Sequence, residues 1–117
     1  MANEITYQLQ SLLNNSGLSD SYSSGALSVD QASALLVRNV QNVATSWGAL
    51  GLGGVVTPGI AIFKNLDDTN YVEIGDGTTA FAKLLPGEQC ILRLALAAPQ
   101  ARANTAAVDL FYIIYDT

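Results

Sequence analysis

Apolar residues in this chain recur every second position, in short runs broken by Gly, Pro, Asn and Asp. That periodicity constrains the fold most, because side chains of an extended strand alternate between its two faces. EQCILRLAL places Cys90, Leu92, Leu94 and Leu96 on one side, with Gln89 and Arg93 on the other. ITYQLQSLL begins the same way, setting Ile5, Tyr7 and Leu9 against Thr6, Gln8 and Gln10. In AVDLFYIIYDT both sets are apolar: Leu110, Tyr112 and Ile114 on one face, Phe111, Ile113 and Tyr115 on the other. Such a strand is buried on both faces, or one face meets a partner.

Between these runs the signals are mostly those of turns. NNSGLSDSYSSG reads as a loop or irregular hairpin, with a short strand following near Ala26 to Val29. Asp30 to Leu50 fits either a helix capped by Asp30 or a strand. Three Val and two Asn between residues 37 and 45 favour the strand, ending before Trp47. GLGGVVTPG reads as a flexible stretch and turn before a strand from Ile60 to Phe63, YVEIG as a further strand, and APQARANTA as a polar connection. The expected fold is all-β: a single antiparallel β-sandwich of seven to eight short strands, jelly-roll-like, as one domain over residues 1–117.

Composition bears on function chiefly through charge. Only 13% of the residues are charged, against roughly 25% in an average soluble domain. Half of the chain, 50%, is hydrophobic. A small domain has much surface for its volume and needs polar cover, so a shortfall of charge favours a surface completed by neighbours. Net charge is −5, and Arg38, Lys64, Lys83, Arg93 and Arg102 are scattered, which disfavours nucleic-acid binding. No run of apolar residues is long enough for a membrane span, and the first ten residues lack the pattern of a secretory signal.

The sequence contains no His and a single Cys, Cys90, which reads as a small buried hydrophobe. The usual general base and zinc ligand are thus missing, and no cofactor or metal is expected. NLDDTNYVEIGDG gathers Asp67, Asp68, Glu73 and Asp76, but without the ligand spacing of a calcium loop. Its simpler reading is a hairpin: a strand ending at Lys64, a turn, and the next strand beginning at Tyr71. GLGGVV lacks the Lys-Ser/Thr of a phosphate loop.

From Asp30 onward the phrases NVQNV, TSWGALGLGGV, TPGIAIFKNLD, TNYVEIG and LLPGEQCILRL form a pattern. It resembles the small β-sandwich structural proteins of tailed-bacteriophage virions. That resemblance implies a non-enzymatic assembly component located in the virion. Its partners would be copies of itself and other virion proteins such as the major capsid protein. A decoration or auxiliary head protein is the leading expectation; a tail, neck or fibre-base subunit is the alternative. Expected contact residues are Ile5, Tyr7, Trp47, Gly51, Gly53, Gly54, Phe111 and Tyr115. A carbohydrate-binding module using Trp47 and a Tyr, with calcium near Asp67, is a reading from another class.

Overall fold

The structure is a computed structural model and describes residues 3–117. All of its regular elements are strands, and all of its strand pairs are antiparallel. The twelve strands lie in four sheets, two of two strands and two of four. This corrects the expectation of a single sandwich of seven to eight strands. The chain groups its contacts into two compact units, one ending at Ala32 and one running from Ser33 to Thr117.

The first unit holds β1 (Ile5–Tyr7), β2 (Gln10–Asn15), β3 (Leu18–Ser23) and β4 (Leu27–Val29). β1 pairs with β4, and β2 pairs with β3 in a regular hairpin. The hairpin turns on Ser16 and Gly17, whose φ values of 45° and 93° are both positive. A two-residue turn of that hand matches the strand twist, and Gly tolerates it without steric cost. The alternation begun at Ile5 therefore breaks after Tyr7. The backbone of Leu9 accepts from Ser24 N and donates to Ser24 Oγ, each at 2.9 Å, which ties the base of the hairpin.

The second unit holds β5 (Leu36–Val43), β6 (Gly48–Ala49), β7 (Pro58–Asn65), β8 (Val72–Gly75), β9 (Ala80–Leu84), β10 (Gln89–Arg93), β11 (Gln100–Ala103) and β12 (Val108–Asp116). One sheet has the order β10-β7-β12-β5, the other β6-β11-β8-β9. The pairing is nested: β5 with β12, β6 with β11, β7 with β10, and β8 with β9. Both sheets feed one apolar cluster. Ala61, Phe63, Leu110, Tyr112 and Ile114 come from the first sheet; Val72, Ile74, Leu84, Ala101 and Ala103 come from the second. Phe63 and Tyr112 lie at its centre with ring centroids 6.3 Å apart and planes tilted by 40°.

Two local expectations fail for physical reasons. β7 and β8 do not pair, so the acidic turn between them is a bridge from one sheet to the other and not a hairpin. Gln100–Ala103, expected as a polar connection, is a strand between β6 and β8. Its inward residues are Ala101 and Ala103, which carry little hydrophobic signal yet are buried. The short strands β6 and β9 also had no clear alternation to announce them.

The partition of burial predicts how stability is distributed. Phe63→Ala should lower the unfolding free energy by about 3–5 kcal/mol, since it empties a fully enclosed site. Leu12→Ser, on the exposed hairpin, should change it by no more than about 0.5 kcal/mol. Urea denaturation curves of the two variants check this contrast.

Candidate functional site

Two carboxylates of the acidic stretch, Asp67 in the bridge and Asp76 in the turn between β8 and β9, are engaged by the backbone around them. Asp67 Oδ2 accepts from Thr69 N at 3.0 Å and from Asn70 N at 2.6 Å. Asp76 Oδ1 accepts from Thr78 N at 2.8 Å and Thr79 N at 2.7 Å. These bonds to the charged form, from Asn70 before Thr69 and from Thr79 before Thr78, hold both carboxyls below their ordinary value. Beneath the bridge, Asn65 is fully buried. Its Nδ2 donates to the carbonyls of Asn70 at 2.9 Å and Leu84 at 3.1 Å, and its Oδ1 accepts from Asp67 N at 2.8 Å. One amide thereby pins the bridge to the end of β9. Asp68 accepts from the Thr69 hydroxyl, and Glu73 pairs with Arg102. Among the described residues no group of three or more Asp, Glu, Cys or His could hold a metal ion.

The glycine loop between β6 and β7 is anchored from within. The buried Tyr112 places its hydroxyl 2.7 Å from the Gly51 carbonyl and 3.1 Å from Gln41 Oε1, and accepts from Asn39 Nδ2 at 3.3 Å. Gln41 spans the same gap: its Oε1 accepts from Gly51 N and its Nε2 donates to Ala49 O, both at 2.9 Å. Gly53, with φ of 58°, takes the backbone conformation that glycine alone adopts cheaply. Gly54 is exposed.

Trp47 is half-buried beside the outer face of the β6-β11-β8-β9 sheet. The Arg102 guanidinium sits 4.6 Å from the centre of its ring, and Arg102 Nε donates to Glu73 Oε1 at 2.8 Å. On the same face Lys83 Nζ lies 4.1 Å from the ring centre of Tyr71. Each ring thus has a cation over one face, an arrangement worth about 0.5–1 kcal/mol at exposed sites. A sugar stacking on those faces would have to displace the cation.

The outer face of the other four-stranded sheet is a different surface. Ile91, Ile62 and Ile113 fall in register across β10, β7 and β12, with Arg38 next in line on β5. The adjacent row runs Gln89, Lys64, Phe111 and Val40. Phe111 and Tyr115 are half-buried here, while Leu36 is 53% exposed and Val40 51%. The C-terminal strand is therefore apolar toward the core and apolar outward.

In the first unit Ile5 is buried and Tyr7 half-buried, but every residue of β2 and β3 is exposed. Leu12 is 80% exposed, Leu18 60%, Tyr22 56% and Leu13 44%. Within the second unit the expected contact residues do not converge. Trp47 lies beside the outer face of one sheet, Phe111 and Tyr115 on the outer face of the other, and Gly51, Gly53 and Gly54 in a loop. The exposed leucines of the hairpin and Leu36 and Val40 of β5 were missed. Their sequence signal, an apolar residue among Asn, Ser and Arg, is the same one a turn or an amphipathic segment gives.

Cys90 points toward the core side of β10 and is half-buried, so burial pushes its thiol above the ordinary value. A shallow depression of about 380 Å³ is lined by Val56, Thr57, Pro58, Leu94, Ala95, Leu96 and Ala97, none of which is titratable. Comparison with protein-family models, with curated proteins and with solved structures found no match to this chain.

Two outcomes follow from these contacts. The carboxyls of Asp67 and Asp76 are lowered on folding, so their contribution is complete above the unfolded value of 3.8 and is lost as pH falls through the lowered folded values. Melting temperatures measured by circular dichroism should drop across that acid range, and less steeply in Asp67→Asn and Asp76→Asn. Tyr112→Phe should cost about 0.5–1.5 kcal/mol in a denaturant titration, because the hydroxyl's bonds to the glycine loop are lost while its partners can still reach water.

Proposed function

We infer that the chain is a non-enzymatic structural subunit of a tailed-phage virion, a decoration or auxiliary head protein that binds the shell and reinforces it through subunit contacts. The observation that carries this reading is the β2–β3 hairpin, whose twelve strand residues are all exposed and include Leu12, Leu13, Leu18 and Tyr22. A lone two-stranded ribbon is at best marginally stable in water. Apolar side chains on one are favourable when a second molecule covers them, at about 25 cal/mol per Å² before the entropy of association. Repeated over many copies on a symmetric shell, modest contacts sum.

The strand order supports the same reading more generally. Nested pairs across two facing sheets give the second unit the connectivity of an eight-stranded jelly roll, an architecture used in capsid and lectin domains. That likeness is one of fold, and fold alone assigns no role. The reactive groups fit a structural part. Cys90 faces the core with a raised pKa, Asp67 and Asp76 are spent on backbone amides, and Glu73 is held by Arg102. The lectin-like reading is weaker because Trp47 and Tyr71 each carry a cation on one ring face.

Particles prepared with and without the protein test the proposal. Those that carry it should rupture at a higher temperature, with copies spread over the whole shell. Equal rupture temperatures, or copies confined to a ring on the tail axis, would refute the head-decoration role.

A further inference from the structure

We propose that the β2–β3 hairpin of one copy docks on the outer face of the β10-β7-β12-β5 sheet of a second copy. It rests on the assembly reading only in treating the chain as one copy among several.

Strand alternation divides the hairpin into two unlike faces. Leu13, Leu18 and Tyr22 share one face, with Asp20 directly across from Leu13. The opposite face presents Gln10, Asn14, Ser19, Ser21 and Ser23, with Leu12 as its one large apolar residue. The first face thus groups three large apolar residues around a single carboxylate, with Ser11 and Asn15 beside them. Asp20 is exposed and makes no ion pair among the described residues. From Asn3 to Ala32 there is no Lys or Arg, and Glu4, Asp20 and Asp30 bring the side-chain charge to −3.

The sheet face is its complement. Its outward positions hold Arg38, Lys64 and Arg93, three of the chain's five cations, with Asp109 as the one outward carboxylate on those strands, which leaves +2. The one ion pair among the described residues, Arg102 with Glu73, lies on the other sheet. None of these three cations therefore has a carboxylate partner there. Arg38 rests over the Phe111 ring at 5.5 Å, and Arg93 Nη1 donates to Thr117 Oγ1 at 3.0 Å. Lys64 stands between Phe111 and Gln89, one row from the isoleucine ladder. An apolar face with an unpaired carboxylate and an apolar face with unpaired cations match in both respects. Ile113 is already buried within the chain and Ile62 and Ile91 are half-buried, so the apolar surface this face still offers is chiefly Leu36 and Val40 of β5 beside Phe111 and Tyr115. Opposite potentials would set the register, and covering these side chains with Leu13, Leu18 and Tyr22 would supply the affinity.

Carbodiimide coupling of the native chain reads this contact directly. A mixture of unlabelled and nitrogen-isotope-labelled protein should yield an Asp20–Lys64 amide joining light to heavy peptides. Coupling found only within one isotopic form, or none at these residues, would overturn the proposal. Sedimentation provides the second measurement. Asp20→Arg, and separately Arg38→Glu with Lys64→Glu, should each weaken self-association by about tenfold or more. Mixing the two variants should restore it, because each then supplies the contact the other lacks. A chain that is monomeric at every concentration, or whose association ignores both variants, would refute the proposal. A monomer that still coats and stabilises a shell would sink this inference and leave the proposed function standing. A chain that docks this way yet binds no shell would do the reverse.

Discussion

One apolar cluster is shared by the inner faces of two four-stranded sheets, and the rest of the second unit takes its positions from that sharing. Phe63 and Tyr112 fill the middle, and Ala101 and Ala103 let β11 close over them from the other sheet. Because each sheet spends one face on this cluster, every strand has an opposite face left over. What those outer faces carry is not needed for the core. It is where a reading of function has to look.

The polar contacts inside the unit serve the same closure. Asn65 is fully buried, yet its amide is satisfied by two carbonyls and one backbone N–H, so it bridges the sheets without an orphaned group. Tyr112 does the like at the glycine loop, sending a hydroxyl from an apolar ring to Gly51 and Gln41. Acidic and glycine-rich segments that invite a catalytic or ligand reading are thereby occupied with holding loops. The two outer faces are unlike each other. One is laced by Arg102, Glu73, Trp47, Lys83 and Tyr71, and the other combines isoleucines with unpaired cations. On the second, Ile113 is already buried, and Leu36 and Val40 of β5 are the large apolar residues left exposed.

Much of the strand content was legible because period-two alternation is a property of consecutive residues. β5, β7, β8, β10 and β12 could each be read from their own side chains, and the preference for a strand over a helix at Leu36–Val43 rested on Val and Asn content. β11 was illegible for the opposite reason. Alanine is inconspicuous in a sequence, and its value at Ala101 and Ala103 lies in being small where two sheets approach. NNSGLSDSYSSG read as a loop or an irregular hairpin because Asn, Ser and Gly predominate there. A positive-φ turn at Ser16 and Gly17 nevertheless closes β2 and β3 into a hairpin in regular register.

By itself the sequence determined that this chain is β-rich and antiparallel, poor in charge, without histidine, and equipped with a last strand apolar on both sides. Those are local or additive properties, set by neighbouring residues or by counting. Only the tertiary structure decided that the described residues form twelve strands in four sheets and that the acidic turn crosses between sheets. It alone decided that Arg38, Lys64 and Arg93 lie on one face while the acidic N-terminal segment holds a hairpin whose strand residues are all exposed. The physical reason is that register and strand order join residues far apart in the chain, and no local pattern records which distant strand will complete a given edge.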